Sequence, residues 1–319
     1  MRHPSVELYA TDTPLHRLER LGGELGLGAD RLWVKRDDCT GVAGGGNKAR
    51  KLEYLLADAI AAGCDLVVTG GAAQSNHVRM TAAAARRCGL DCAAVLFGDP
   101  PSTAEGNLVL DDLLGVHLTW SGSGDYDETF EGVVQRASAR GATAYRVPLG
   151  GSSPVGALGY VAAAREIAAA APPDALVVTA ASTGGTAAGL AAGLGEHRRV
   201  LAVDVGAFDD TAERIQTLAG EAASLAGLPA PTGTVALDRS QAGAGYGEPT
   251  DATHEALRMA AELEGLVLDP VYSGRALAGL IRACREGEVT TDHPVVFLHT
   301  GGLPALLTAR YAGWFRPDR

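Results

Sequence analysis

The sequence predicts an α/β protein built from two open, twisted, mainly parallel sheets flanked by helices. Three observations carry that expectation. Short apolar runs such as DLVVTG (65–70), CAAVLF (92–97), ALVVT (175–179) and VVFLH (295–299) alternate with helical patterns through most of the chain. Strands buried on both faces read as continuous apolar runs, and strand–helix alternation builds right-handed βαβ units. The alternation falls into two series, about residues 49–150 and 155–319, separated by Gly150-Gly151-Ser152-Ser153-Pro154. That breaker cluster suits a crossing between domains. The expected organisation is therefore a large domain from residues 1–48 and 155–319 and a small α/β domain from 49–154.

Each element follows in order. Leu32-Trp33-Val34-Lys35 reads as a short strand, and Lys48 to Ala62 as a helix, because Leu52, Leu55, Leu56, Ala59 and Ile60 share one face at helical spacing. The strand at 65–70 is followed by a helix at 75–88, a strand at 92–97, a helix at 105–114, a strand at 117–120, a helix at 127–140 and a strand at 144–147. Beyond the crossing come a helix at 156–170, strands at 175–179 and 200–205, and a helix at 211–225. Residues 226–250 are rich in Pro and Gly and read as irregular; helices at 250–265 and 276–286 and a strand at 295–299 complete the chain.

Composition narrows the function classes. With 46% apolar and 20% charged residues over 319 positions, the chain has ample material for a core. A net charge of −11 argues against binding nucleic acid or an anionic membrane through bulk charge. The five cysteines are odd in number and show no CxxC or Cys/His cluster with zinc spacing. No metal site is expected, and reduced cysteines fit a cytoplasmic protein. The N-terminus lacks a basic segment followed by an apolar run, and no stretch of about 18 uncharged apolar residues occurs, so neither a signal peptide nor a membrane span is expected.

Three stretches carry chemistry. In Gly44-Gly45-Gly46-Asn47-Lys48-Ala49-Arg50-Lys51, the glycines let the backbone take φ > 0 or pass close to a ligand, and Lys48 stands at a helix start. Desolvation and nearby cations lower such a lysine's pKa and make its amine nucleophilic, as a Schiff base requires. Lys51 lies one turn on and can face the same site. The plain alternative is a glycine turn with solvated lysines. Gly70-Gly71-Ala72-Ala73-Gln74-Ser75-Asn76-His77 follows a buried strand and opens a helix, whose N–H groups can bind a carboxylate; the alternative is an N-cap alone. Ser182-Thr183-Gly184-Gly185-Thr186-Ala187-Ala188-Gly189 repeats the arrangement and suits a phosphate. It is neither a Walker loop nor a G-x-G-x-x-G fingerprint, and the alternative is an unliganded packing turn. Two further pieces, Asp269-Pro270-Val271-Tyr272-Ser273-Gly274 and Leu298-His299-Thr300-Gly301-Gly302, lie near the C-terminus. Thr300 and Gly301 end a strand, where ligands of parallel sheets gather, whereas Tyr272 on its own reads as a core or interface residue.

Taken together, KRDD (35–38), GGNKARK (45–51), TGGAAQSNHVR (69–79), TAEGN (103–107), GGSSPVGALGY (150–160), STGGTAAG (182–189), DPVYSG (269–274) and HTGG (299–302) resemble the family of D-cysteine desulfhydrases and 1-aminocyclopropane-1-carboxylate (ACC) deaminases. These are pyridoxal-phosphate (PLP) enzymes of the tryptophan-synthase-β type, fold type II, with PLP in the cleft between domains. The stretches occur in family order and span nearly the whole chain. The resemblance implies that Lys48 carries PLP as a Schiff base, that Asn76 bonds the cofactor's ring oxygen, and that Lys51, Thr183, Gly184, Gly185 and Thr186 bind its phosphate. Thr300 would contact the pyridine nitrogen. Ser75, Asn76 and His77 would receive the substrate carboxylate, Ser75 would also move a proton, and Tyr246 and Tyr272 would line the substrate side, Tyr272 as a catalytic group.

ACC deaminases resemble this chain but typically carry Glu after the DPVY tyrosine and Leu in the HTGG-like segment; Ser273 and Thr300 stand here. The pattern resembles the desulfhydrase branch. A neutral hydroxyl does not favour a protonated pyridine as a carboxylate would, so Cα deprotonation and β-elimination is the easier chemistry. Arg275 stands where the desulfhydrases usually carry Lys, Ala187 replaces a larger, often His, residue, and SGSGDY (121–126) follows no recognised family pattern. The expected reaction converts D-cysteine to pyruvate, ammonia and hydrogen sulfide, in a protein that the family suggests is a homodimer. L-Cysteate sulfo-lyase, ACC deaminase and a biosynthetic C–S lyase are the related alternatives. A non-catalytic phosphate- or nucleotide-binding protein is the alternative of another class, and it would not need Lys48.

Overall fold

The computed structural model describes residues 3–10 and 12–315. β1 (Leu15–Arg17), α1 (Glu19–Glu24) and β2 (Leu32–Arg36) open the chain, and α2 (Lys48–Ala61) follows. Strands and helices then alternate: β3 (Leu66–Gly71), α3 (Asn76–Arg87), β4 (Asp91–Leu96), α4 (Asn107–Leu113), β5 (His117–Trp120), α5 (Tyr126–Ala139) and β6 (Ala144–Arg146). Next come α6 (Pro154–Ala170), β7 (Leu176–Ala181), α7 (Gly185–Leu194), β8 (Val200–Asp204), α8 (Thr211–Leu225), β9 (Ala236–Asp238), α9 (Asp251–Glu264), α10 (Ser273–Arg285) and β10 (Val295–His299).

The strands form two sheets, a six-stranded one in the order β1-β2-β10-β7-β8-β9 and a four-stranded one in the order β5-β4-β3-β6. Every strand pair is parallel except β1 with β2. All strands of the smaller sheet fall in sequence between β2 and β7.

Both faces of the larger sheet are covered, which is why its strands read as unbroken apolar runs. Along β10, Val295 and Phe297 pack with Leu277, Leu280 and Ile281 of α10. Val296 and Leu298 point the other way, toward Tyr160 of α6 and Leu190 of α7. In the smaller sheet Val67 and Cys92 meet Leu52 of α2 and Met80 of α3, while Val68 and Val95 meet Val133 and Val134 of α5.

Local signals account for several helix starts. Ser153 accepts a hydrogen bond from the Gly156 N–H and Pro154 occupies the first helical turn of α6. Where α6 crosses α2, a side chain at Gly159 would place its Cβ 2.2 Å from the Arg50 carbonyl oxygen, so the two backbones meet only because this residue is glycine.

The first turn of α2 is locked by a buried polar network. Arg50, fully buried, donates to Asp37 (2.9 Å) and to Glu166 (2.6 Å). Tyr160 donates to Asp37 and Lys35 pairs with Glu166 at 2.7 Å. Burial alone would raise the Asp37 pKa, but the Arg50 charge and the hydrogen bonds from Arg50, Tyr160 and Thr13 hold it below the ordinary range. The network ties α2 to β2 and α6, and thereby fixes the turn that carries Lys48 and Lys51.

The structure departs from the sequence expectations in a few places. The segment 226–250, expected to be irregular, contributes β9 as an edge strand beside β8. β1 and α1 were not anticipated, and at three and six residues they are too short for a periodic signal. α10 begins at Ser273 rather than 276, because the Asp269 carboxylate accepts the N–H groups of Val271, Tyr272 and Ser273. The five cysteines are free thiols. Among the described residues, no helix is long and apolar enough to cross a membrane.

Candidate active site

A cavity of about 320 Å³ opens at the carboxyl ends of β3, β7 and β10. That is the position at which open parallel sheets gather ligands. Lys48, Lys51, Ser75, Asn76, His77, Thr183, Gly184, Gly185, Thr186, Tyr246, Tyr272 and Thr300, all singled out from the sequence, line it together.

Lys48 reaches the cavity because of the glycine loop before it. Gly44, Gly45 and Gly46 all have positive φ, and a Cβ at Gly45 would lie 1.7 Å from the Asp38 carbonyl oxygen. The tight loop delivers Lys48 to the first position of α2. Its Nζ donates to Asn47 Oδ1 at 3.0 Å. Among the described residues no carboxylate pairs with it, and burial pushes its pKa down to about 8, with Asp269 opposing and Arg79 adding to the shift.

Lys51 stands one turn further on, 2% exposed, and donates to the Gly150 carbonyl (3.0 Å) and Ser152 Oγ (3.2 Å). Burial, and then the neighbouring Lys48 charge, push its pKa well down. Here it meets the start of α7. Gly184 is left-handed (φ 83°), the Gly185 N–H donates to Ser152 Oγ at 3.2 Å, and the Ser152 and Thr183 hydroxyls share a hydrogen bond of 2.6 Å. Thr186 Oγ1 accepts from Asn47 Nδ2 at 3.1 Å. A Cβ at Gly185 would sit 2.5 Å from Ser152 Oγ and 2.9 Å from Lys51 Nζ, so this cradle requires glycine. An amine with no carboxylate partner, three hydroxyls and a helix N-terminus make a donor-rich pocket that fits a phosphate.

The opposite wall is the start of α3. Ser75 caps the helix, its Oγ accepting the Val78 N–H at 3.2 Å. Asn76 and His77 form the first turn. The His77 Nε2 shares a hydrogen bond of 2.9 Å with Thr69 Oγ1, and burial, then Lys48 and Lys51, lower its pKa well below the usual value. The ring is neutral at pH 7, so the wall offers a carboxylate backbone N–H groups and a helix dipole rather than an imidazolium.

The hydroxyls of Tyr246 and Tyr272 are in hydrogen-bond contact on the third side, their rings edge to face. Burial raises the pKa of both phenols, so each keeps its proton at neutral pH. The loop bearing Tyr246 is clamped by the fully buried Arg275, which donates to the carbonyls of Val205, Ala242, Gly245 and Glu248 at 2.6–3.0 Å. Thr300 follows the last residue of β10 and lines the cavity, and its carbonyl accepts the Asn47 N–H at 3.0 Å. Among the described lining residues there is no Asp or Glu. Asp269 is spent in capping α10, and the Ser273 hydroxyl donates to it rather than facing the cavity.

Sequence reasoning missed Asn47, which bridges Lys48 to Thr186, and Ser152, the hub between Lys51, Thr183 and Gly185. Asn47 stands inside a stretch already singled out. Ser152 lies in the Gly-Gly-Ser-Ser-Pro crossing, where its hydroxyl looked like one more turn residue.

Comparison with known proteins gives a consistent picture. Residues 6–301 match the family model described as pyridoxal-phosphate dependent enzyme. The chain is 42% identical over 318 residues to the D-cysteine desulfhydrase of Salmonella choleraesuis (strain SC-B67), covering 96% of each chain. The D-cysteine desulfhydrase of Salmonella newport (strain SL254) matches to the same extent. Among solved structures, an ACC deaminase homologue superposes with a TM-score of 0.87 at 36% identity, over 96% of this chain and 94% of that one. Threonine deaminase isoform 2 from Solanum lycopersicum, at 17% identity and a TM-score of 0.64 over 92% of this chain and 80% of that one, shares the fold.

Proposed function

This chain belongs to the family of pyridoxal-phosphate-dependent enzymes, and from that premise we propose that it catalyses α,β-elimination on a small β-substituted amino acid. D-Cysteine and water would give pyruvate, ammonia and hydrogen sulfide. The observation that carries this reading is the desolvated Lys48 amine in one cavity with two helix N-termini, those of α3 and α7. Full-length similarity to D-cysteine desulfhydrases supports the substrate.

Lys48 would hold the cofactor, which when bound would supply an electron sink for the charge left at Cα. Lys51, Thr183, Gly184, Gly185 and Thr186 would bind its phosphate. Asn76 would address the ring oxygen and Thr300, a neutral hydroxyl, the ring nitrogen. The first turn of α3, from Ser75 to His77, takes the substrate carboxylate. Lys48 or Ser75 removes the Cα proton. Tyr272 and Tyr246, both protonated, line the side from which the β-substituent leaves and can donate to it. The absence of a carboxylate among the described lining residues supports elimination over opening of a cyclopropane ring, whose substrate has no Cα hydrogen.

The protein is further read as a cytoplasmic homodimer whose protomer has a large domain (1–48 and 155–319) and a small one (49–154). The free cysteines suit the cytoplasm and the division of strands between the two sheets supports the two domains, while the homodimer follows from the family resemblance alone. Light scattering after size exclusion tests the dimer.

The decisive experiment is the absorbance spectrum of the purified protein before and after D-cysteine, with sulfide and pyruvate assayed together and L-cysteate and ACC as controls. A cofactor band that changes while both products form is expected. Absence of a band after PLP is added would overturn the reading and favour the phosphate-binding alternative.

A further inference from the structure

We infer that Asn107 is a positioning residue that sets the orientation of the Asn76 amide, so that Asn76 presents its NH₂ group, and not its oxygen, to the cavity. The inference rests on the reading above that Asn76 faces the cofactor's ring oxygen.

Gln74, in the loop before α3, grips the turn that leads into α4. Its Nε2 donates to the Glu105 carbonyl (2.9 Å) and its Oε1 accepts the Asn107 N–H (2.8 Å). The turn can lie this close because residue 106 is glycine, at φ +56°; a Cβ there would meet Gln74 Oε1 at 2.3 Å and the Pro304 carbonyl at 2.8 Å. The fully buried Asn107 side chain is thereby delivered behind the cavity wall.

The orientation then propagates by elimination. Asn107 lies 3.0 Å from the Gln74 backbone carbonyl, which can only accept, so the atom facing it is Nδ2. The same Nδ2 is 3.1 Å from the Asn76 amide, so the Asn76 atom there is an acceptor, Oδ1. Arg79, whose guanidinium has donors only, approaches that same oxygen at 3.5 Å and agrees with the choice. The Asn107 Oδ1 is buried without a partner, so nothing on its far side competes for the reverse orientation. Asn76 Nδ2 therefore turns to the cavity that Asn76 lines. A donor there stabilises an anionic ring oxygen, whereas the flipped amide would oppose it with a lone pair.

The holoenzyme provides the test, through pH titration of the bound cofactor's visible absorbance. Losing the donor leaves the ring oxygen's charge less stabilised and the proton nearby more tightly held, so the midpoint should rise by about one pH unit or more. Wild type is compared with Asn76→Ala, with Asn107→Leu, which removes the donor, and with Asn107→Asp, which replaces it by an acceptor. Circular dichroism confirms that each is folded. A rise in either Asn107 variant in the direction of Asn76→Ala supports the inference. A rise in Asn76→Ala with neither Asn107 variant moving overturns it and leaves the parent reading standing. No change in Asn76→Ala, or no visible band in wild type, removes the parent reading and this inference with it. Should neither Asn107 variant fold, a wild-type holoenzyme crystal resolving amide oxygen from nitrogen decides the matter: Nδ2 toward the ring oxygen supports the inference, Oδ1 toward it overturns it.

Discussion

The Lys48 Nζ lies 5.9 Å from the centre of the Tyr272 ring, whose hydroxyl in turn contacts that of Tyr246. An amine of lowered pKa thus faces a pair of phenols whose pKa values burial has raised. In the proposed reaction the amine would accept a proton and the phenols, still protonated, would be the donors. Tyr272→Phe removes only the hydroxyl. It should leave the cofactor spectrum intact and lower kcat by about 10²-fold or more, measured as pyruvate release under saturating substrate.

Cofactor uptake should be pH-dependent with a known sign. Only the neutral amine attacks a carbonyl, and Lys48 loses its proton near pH 8. The rate at which the apoprotein takes up PLP should rise through a midpoint of about 8 and level off above it. Stopped-flow absorbance measures this, and Lys48→Ala should abolish the covalent band at every pH.

Lys51 gives a second, separable pH effect. Its folded pKa lies below the ordinary 10.5, so in the window between the two the unfolded chain binds more protons than the folded one. Stability of the apoprotein must rise with pH across that window. Lys51→Met should flatten the rise in thermal melts and weaken PLP binding by about tenfold or more through loss of a charge-assisted contact, read by fluorescence titration.

Ser75 combines two duties that substitution can separate. Ser75→Ala removes the cap on the Val78 N–H and should cost about 1 kcal/mol of stability, together with a fall in kcat. Ser75→Asp restores a good cap but sets a negative charge beside the carboxylate site, so its melting temperature should stay close to wild type while KM rises. Parallel calorimetry and initial rates distinguish the two.

Arg275→Lys tests the clamp on the Tyr246 loop. Two nitrogens of a planar fork serve four carbonyls here, and a lysine ammonium, with three donors, leaves at least one unserved. Stability should fall by about 1–3 kcal/mol, with KM rising more than kcat falls.

How much of this was legible in the chain depends on range. Lys48 after its glycines and the Ser182–Gly189 loop are strand–loop–helix units in which neighbours in sequence make the site. The two walls could therefore be found from local pattern. Ser152 and Asn107 could not, because the nearest partners of their side chains lie 31 residues away in sequence and their hydroxyl and amide look like ordinary turn chemistry. Arg275 reads from the sequence only as a departure from the family's usual Lys, and its role shows when the 242–248 carbonyls are seen to surround it. β9, at three residues, owes its form to β8 beside it rather than to any propensity of its own.

The smaller sheet is confined to one uninterrupted stretch of the chain, between β2 and β7. Its consequence is genealogical. The wall built by Gly70 to His77 and the one built by Thr183 to Thr186 lie in separate continuous stretches of the gene. Recombination that replaced residues 64–147 as a unit would carry the Gly70–His77 wall, Asn76 with it, and leave the Thr183–Thr186 wall as inherited.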